Sequence, residues 1–372
     1  MRKVLTLSVL VFAVCALFVA SNQSSDESLT KNFVMGTPEV QSIDALAFGP
    51  EGILFIGDSK SAMIFAIDTQ DKNVVDHAEP VEMQQFDKKV ATALGTTTEN
   101  IAIQDMAVNP LSKKLYFAVQ NADGTPVLLT LEGETFQPVA LEDILYSEVA
   151  INNAPAEDAK DDRGRSLRVW AVSDLNYDDG KVMVSGLSNQ EFSSTFRSIP
   201  FPFTDVQEHA SLEIYHAAHG QYETYAPIKT FTAATLNGKK HIIASYTCTP
   251  LVLFPMDELK SGTHVKGRTV AEFGNGNTPL DIIAMEKDGA AYLLMANSNR
   301  PVMKVKFEDI EAFEGTLTEP VQQRSATAGV DFITFPMVNV LQLDKLDDTQ
   351  FVMLQRKANG DLDLWTANDR WL

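Results

Sequence analysis

The stretch S-I-D-A-L-A-F-G-P-E-G-I-L-F-I-G-D-S-K-S-A-M-I-F-A-I-D, from Ser42 to Asp68, decides the fold. It holds a short apolar strand, a Pro/Gly turn, a second strand ending in a small residue, a polar turn and a third strand. The same order recurs from Ala102 (A-I-Q-D-M-A-V-N-P-L-S-K-K-L-Y-F-A-V-Q-N), Ala171 (A-V-S-D-L-N-Y-D-D-G-K-V-M-V-S-G) and Lys229 (K-T-F-T-A-A-T-L-N-G-K-K-H-I-I-A-S-Y). Two further copies begin at Pro279 (P-L-D-I-I-A-M-E-K-D-G-A-A-Y-L-L-M-A-N-S-N) and Val338 (V-N-V-L-Q-L-D-K-L-D-D-T-Q-F-V-M-L-Q). The third residue of each first strand is Asp44, Asp105, Asp174, Thr232, Asp281 or Asn339.

Units spaced this way have room for four strands of about five residues with some long loops, and apolar first strands suit sheets covered on both faces. The expectation is an all-β β-propeller of six four-stranded blades, or seven if a long interval hides a degenerate one. The unit from Ala171 shows all four strands, at 170–177, 181–187, 193–199 and 210–217. The last unit has room for three, so 31–35 (Lys31 to Met35) is expected to close the ring as an N-terminal strand. One propeller domain then spans 22–372, and the charged stretch 152–165 is an insertion within it.

The segments I-D-A-L-A-F-G-P-E-G-I-L-F-I-G-D-S, K-L-Y-F-A-V-Q-N and Y-L-L-M-A-N-S-N resemble repeats of the NHL/YVTN/SMP-30-type β-propellers. The resemblance implies a fold and no single reaction, since propellers host lactonases, redox enzymes, sugar binders and scaffolds. For the SMP-30-like lactonases it implies a channel metal held by acid and amide side chains, here a calcium on Asp174, Asp281 and Asn339.

Residues 1–21 read as a secretory signal peptide: Arg2 and Lys3, an apolar run from Val4 to Ala20, then Ser21 at a small-residue exit before Asn22. The expected location is periplasmic or extracellular, with no membrane insertion after cleavage. Loss of Arg2 and Lys3 takes the net charge from −20 to −22, which excludes nucleic acid as a partner and leaves a small-molecule ligand or a protein. Cys15 leaves with the signal, so Cys248 is the one thiol of the mature chain, in an oxidising compartment with no disulfide partner.

Three groups of residues carry candidate chemistry. His216 and His219, in H-A-A-H-G, stand three apart at the end of an outer strand, and Cys248 sits in S-Y-T-C-T-P at the end of the next blade's second strand. Two imidazoles and a thiolate suit copper, zinc or iron, with Glu213 and Glu223 nearby and Met256 as a soft donor. The second group is the channel-rim set Asp44, Asp105, Asp174, Asp281 and Asn339. It suits calcium, or carboxylates that accept hydrogen bonds and secure the blades. The third is the polar loop group Asn275, Asn277, Asn297 and Arg300, suited to ligand binding, with Arg300 the one cation expected near the acidic rim.

No P-loop, C-x-x-C-H, H-E-x-x-H or G-x-S-x-G is present, so nucleotide and covalent haem are not expected. The expected function is redox chemistry or metal-assisted hydrolysis of a small molecule at a metal site on the channel face, built from His216, His219 and Cys248. The alternatives are a non-catalytic binding scaffold and a calcium-dependent lactonase-like hydrolase.

Overall fold

A computed structural model describes residues 28–368 and 370, and the expected signal peptide with Cys15 lies outside the described residues. Six sheets, antiparallel except where His264–Lys266 pairs Glu208–His216 in parallel, surround a central channel. Their inner strands are Ala45–Phe48, Ile101–Val108, Asp174–Asp178, Thr230–Leu236, Pro279–Lys287 and Val340–Lys345, which define blades 1 to 6. Each sequence repeat therefore builds one blade of a six-bladed β-propeller. Blade 3 follows its sequence pattern closely, with strands Asp174–Asp178, Lys181–Leu187, Ser194–Pro200 and Glu208–His216.

The blades do not follow chain order around the ring. Their inner strands adjoin in the order 2–1–3–4–5–6 and back to 2. The connectivity explains this. After its third strand, Met63–Asp68, the chain leaves blade 1, pairs Glu82–Met83 with blade 6 and then builds blade 2. Only then does Ile144–Ala150 return as the fourth strand of blade 1. The closing strand is therefore Glu82–Met83, paired to Leu362–Asn368, and not 31–35. Val34–Gly36 instead adds a fifth strand to blade 1 beside Ile144–Ala150. Equal repeats show how many blades there are but not which neighbours they choose.

Burial confirms the ring order. The six apolar clusters each lie between two neighbouring blades: Phe55 and Val184 join blades 1 and 3, and Ile214 and Phe254 join blades 3 and 4. Met106 and Val352 join blades 2 and 6 in the same way. A blade buries both faces, which is why its strands read as unbroken apolar runs rather than alternating ones.

Aspartates at the channel complete the ring. Asp105, Asp174 and Asp281 belong to blades 2, 3 and 5, which are alternate positions around it. Each Oδ1 accepts the N–H of its own next residue, and each Oδ2 accepts an inner-strand N–H of the following blade: Leu46, Phe231 and Leu343 respectively. Asp344 of blade 6 does the same for Val108 of blade 2 at 2.7 Å. The carboxylates thus satisfy backbone donors at the blade seams that would otherwise be left facing the channel.

Candidate functional site

The channel holds two cavities, of about 250 and 280 Å3, and Asp105, Asp174 and Asp281 line both. Burial raises Asp105 and Asp174 to about 8 and Asp281 well above the usual carboxylate range, and repulsion within the trio adds to the effect. Burial also raises Asp344, to about 6. Asp44 lines the cavity of about 250 Å3 but bonds within its own blade, to Ser42 and Ser59. Asn339 departs from the expected set: it is exposed, has φ +56° and lines neither cavity. The channel carboxylates that converge are 105, 174 and 281, so the calcium set with Asn339 is not assembled.

The polar loop residues are also placed differently. Asn277 and Asn297 are buried at 2 % and 1 % exposure and bond to each other, Nδ2 to Oδ1, at 2.8 Å. Asn275 accepts the N–H of Ser325, and Arg300 donates to the Ser325 carbonyl. Asn277 and Asn297 thus brace each other, and Asn275 and Arg300 brace the Ser325 backbone. The cations lining the channel cavities are Lys229 and Lys345, not Arg300; Lys229 Nζ lies 3.1 Å from the centre of the Trp170 ring, and burial lowers it to about 8.

The histidines and the cysteine do meet, away from the axis and between blades 3 and 4. Strand alternation explains which residues take part. Along Glu208–His216, Ala210, Leu212 and Ile214 enter the seam with blade 4, and His216 is the next residue on that face. Glu213, on the opposite face, pairs with His264 and Lys266. His209, seven residues back and roughly 23 Å along the strand, lies far from the site. Met256 follows the other end of Pro250–Pro255 from Cys248, so it reaches the opposite face of the disc.

After His216 the chain makes a tight turn in which His219 N–H and Gly220 N–H both bond to the His216 carbonyl. Gly220 sits at φ +65°, and a Cβ there would lie 3.0 Å from Pro320. The turn brings the imidazole centroids to 3.8 Å. The returning strand Gln221–Glu223 places Glu223 beneath both rings. His216 Nδ1 lies 2.9 Å from Glu223 Oε2, and His219 Nδ1 lies 2.6 Å from Oε1. Burial would raise Glu223, but the two imidazole hydrogen bonds hold it down to about 2.

An ionised carboxylate only accepts, so in neutral imidazoles both Nδ1 atoms carry the proton and both Nε2 lone pairs are left free. His216 Nε2 is buried and has no hydrogen-bond partner. Cys248 completes the group: one donor atom from each of His216, His219 and Cys248 lies within 4.8 Å of the other two. This is a possible metal-binding triad.

Glu272 belongs to the site without any signal in the sequence; it ends strand Arg268–Glu272 in blade 4 with its side chain fully buried. Its Oε2 is 3.9 Å from His216 Nε2 and accepts the Ala218 N–H at 3.1 Å, while Oε1 has no partner. Burial first, and Glu223 after it, raise this carboxyl to about 8. Its distance in sequence hides it: only the seam between blades carries it to the histidine turn.

Cys248 sits in a strained loop, with φ +69° at Cys248 and +60° at Thr249. Left-handed backbone is costly for both residues, most of all for a β-branched threonine. Three bonds enforce it: Cys248 N–H to Asn277 O (2.7 Å), Thr249 N–H to Tyr246 O (2.8 Å) and Phe273 N–H to Thr249 O (3.1 Å). The polar loop of blade 5 therefore acts through Asn277 to hold the thiol in place.

No protein-family model matches this sequence, and no curated protein matches it. Among solved structures it is similar to a crystal structure of the mitotic checkpoint complex, at TM-score 0.39 and 10% identity over 98% of this chain and 100% of that one. It is also similar to a putative oxidoreductase (glucose dehydrogenase) from Thermus thermophilus, at TM-score 0.35 and 12% identity over 90% and 100%. A third is the PQQ-bound aldose sugar dehydrogenase of Streptomyces coelicolor, at TM-score 0.35 and 12% identity over 90% and 96%. Likenesses this distant concern the fold and assign no activity; the chain is a six-bladed β-propeller with a possible metal-binding triad between two blades.

Proposed function

We propose that this protein is an exported metal-binding propeller that holds one transition-metal ion between blades 3 and 4. The ligands are His216 Nε2, His219 Nε2 and Cys248 Sγ. The observation that carries the reading is the shared carboxylate: Glu223 engages both Nδ1 atoms, so both Nε2 atoms are left for the ion. A carboxylate behind a ligating imidazole fixes its tautomer and raises its basicity. Bonds of about 2.0 Å from nitrogen and about 2.3 Å from sulfur place neighbouring donors roughly 3.5 Å apart. One donor atom from each of the three residues already lies within 4.8 Å of the other two, so closing on an ion takes a side-chain movement of about an ångström or more. Imidazole and thiolate select copper, zinc or iron over calcium.

The buried, unpartnered His216 Nε2 and the strained Cys248 turn support the same reading, because both are costly in a metal-free core and both relate to one ion. Secretion is part of the proposal and rests on the N-terminal sequence. The test is metal titration of the mature protein and of Glu223→Gln. The mature protein is expected to take up one ion per chain. The glutamine variant, which offers only one acceptor oxygen to two imidazoles, is expected to bind about 10- to 100-fold more weakly. Equal affinity in the two proteins would remove Glu223 from the site, and no uptake by the parent protein would end the proposal.

A further inference from the structure

A metal ion at this position can act on a bound substrate or exchange electrons, and the surroundings of the site distinguish the two. Substrate chemistry needs a coordination position that opens onto a cavity. The two cavities lie along the axis, and none of His216, His219, Cys248, Glu223 or Glu272 lines either one. Behind the site, the His216 and Glu272 side chains are 1 % and 0 % exposed. The most exposed ligand is His219, whose side chain is 42 % exposed, while Cys248 is half-buried. Tyr222 and Tyr225 follow His219 on the same hairpin, both more than half exposed. Outer-sphere electron transfer needs no open position, only a ligand edge that a partner can approach.

The donor set points the same way. Two imidazoles and one thiolate, with a Glu272 carboxyl oxygen 3.9 Å from His216 Nε2 as a remote fourth donor, have the composition of a trigonal copper site with a weak axial oxygen. Resting on the metal reading above, we propose that the ion is copper and that the site carries single electrons, which pass through the exposed His219 ring. In the reducing step Cu(II) accepts one electron from an outer-sphere donor and becomes Cu(I), and the donor is oxidised by one electron. A one-electron acceptor then restores Cu(II). The Cys248 thiolate stays bound throughout, and no bond to either partner forms or breaks.

Anaerobic reconstitution of the mature protein with one equivalent of Cu(II) tests this. The expected product has an intense visible absorption from thiolate-to-copper charge transfer. One electron per chain from ascorbate should erase it, and ferricyanide should restore it. Cys248→Ser should keep the far-ultraviolet circular dichroism of the parent and lack the band entirely. Three results would overturn the inference while leaving a metal site intact: copper bound without the band, irreversible bleaching with Cys248 oxidised to a disulfide-linked dimer, or uptake of zinc with no uptake of copper. Failure to bind either ion would overturn the metal reading itself.

Discussion

Cys248→Gly is expected to stabilise the metal-free protein and to abolish its high-affinity metal binding. Cys248 holds φ +69° beside Thr249 at +60°, and a left-handed non-glycine residue costs on the order of 1–3 kcal/mol. Glycine adopts this backbone without the Cβ penalty, while the flanking bonds from Asn277, Tyr246 and Phe273 stay in place. A gain of about 1 kcal/mol corresponds to a rise of roughly 1–2 °C in midpoint for a chain of this size. Loss of a ligand should cost more affinity than the roughly 10- to 100-fold assigned to a residue behind a ligand. Scanning calorimetry and metal titration on one preparation read both effects. A variant that is less stable without metal, or that binds metal as tightly as the parent, would show that packing and not coordination fixes this residue.

The second large effect is on stability against pH. Asp105 and Asp174 are raised to about 8, Asp344 to about 6 and Asp281 well above its usual value. In the window between the unfolded value near 4 and these folded values, the folded state binds more protons than the unfolded state. Stability is then complete below about pH 4 and falls from there until the pH passes the folded values, about 6 for Asp344 and about 8 for Asp105 and Asp174. The slope is about 1.4 kcal/mol per pH unit for each carboxyl that is protonated in the folded state and ionised in the unfolded one, reduced by water in the channel and by sharing of protons among the acids. Lys229, lowered to about 8, acts in the opposite sense above that pH, because there the unfolded state binds the extra proton. Urea denaturation at pH 5 and pH 8 should therefore show the protein weaker at pH 8 by a few kcal/mol, about 3 in order of magnitude. Asp174→Asn should flatten the dependence, and the comparison uses the slope because the amide also alters the bond to Phe231. Stability that rises from pH 5 to pH 8 would mean that the channel acids are ionised, with a cation among them.

How far the sequence reaches can be seen residue by residue. Blade number and strand content follow from the repeats, because a sheet buried on both faces leaves a plain apolar signature in one dimension. The ring order does not, because swapping blades 1 and 2 changes no local pattern; it depends on where Ile144–Ala150 pairs. His216, His219 and Cys248 are legible because two histidines share a turn and the thiol is alone, and the structure brings their donor atoms together. Glu272 is not legible, since an acid after R-T-V-A looks like any strand end until the seam with blade 3 buries it. Met256 misleads by its proximity in sequence: a strand of six residues carries it about 20 Å away. Asn277 and Asn297 look open because amides in loops usually are, yet here one bond joins them and backbone groups close by take up the rest.

What decides the function is whether one ion sits between blades 3 and 4. Anomalous scattering from a crystal of the metal-loaded protein, recorded at the metal's absorption edge, tests that most directly. The expected map has one strong peak about 2.0–2.3 Å from His216 Nε2, His219 Nε2 and Cys248 Sγ. A map with its peak on the axis among Asp105, Asp174 and Asp281, or with no peak at all, would contradict it.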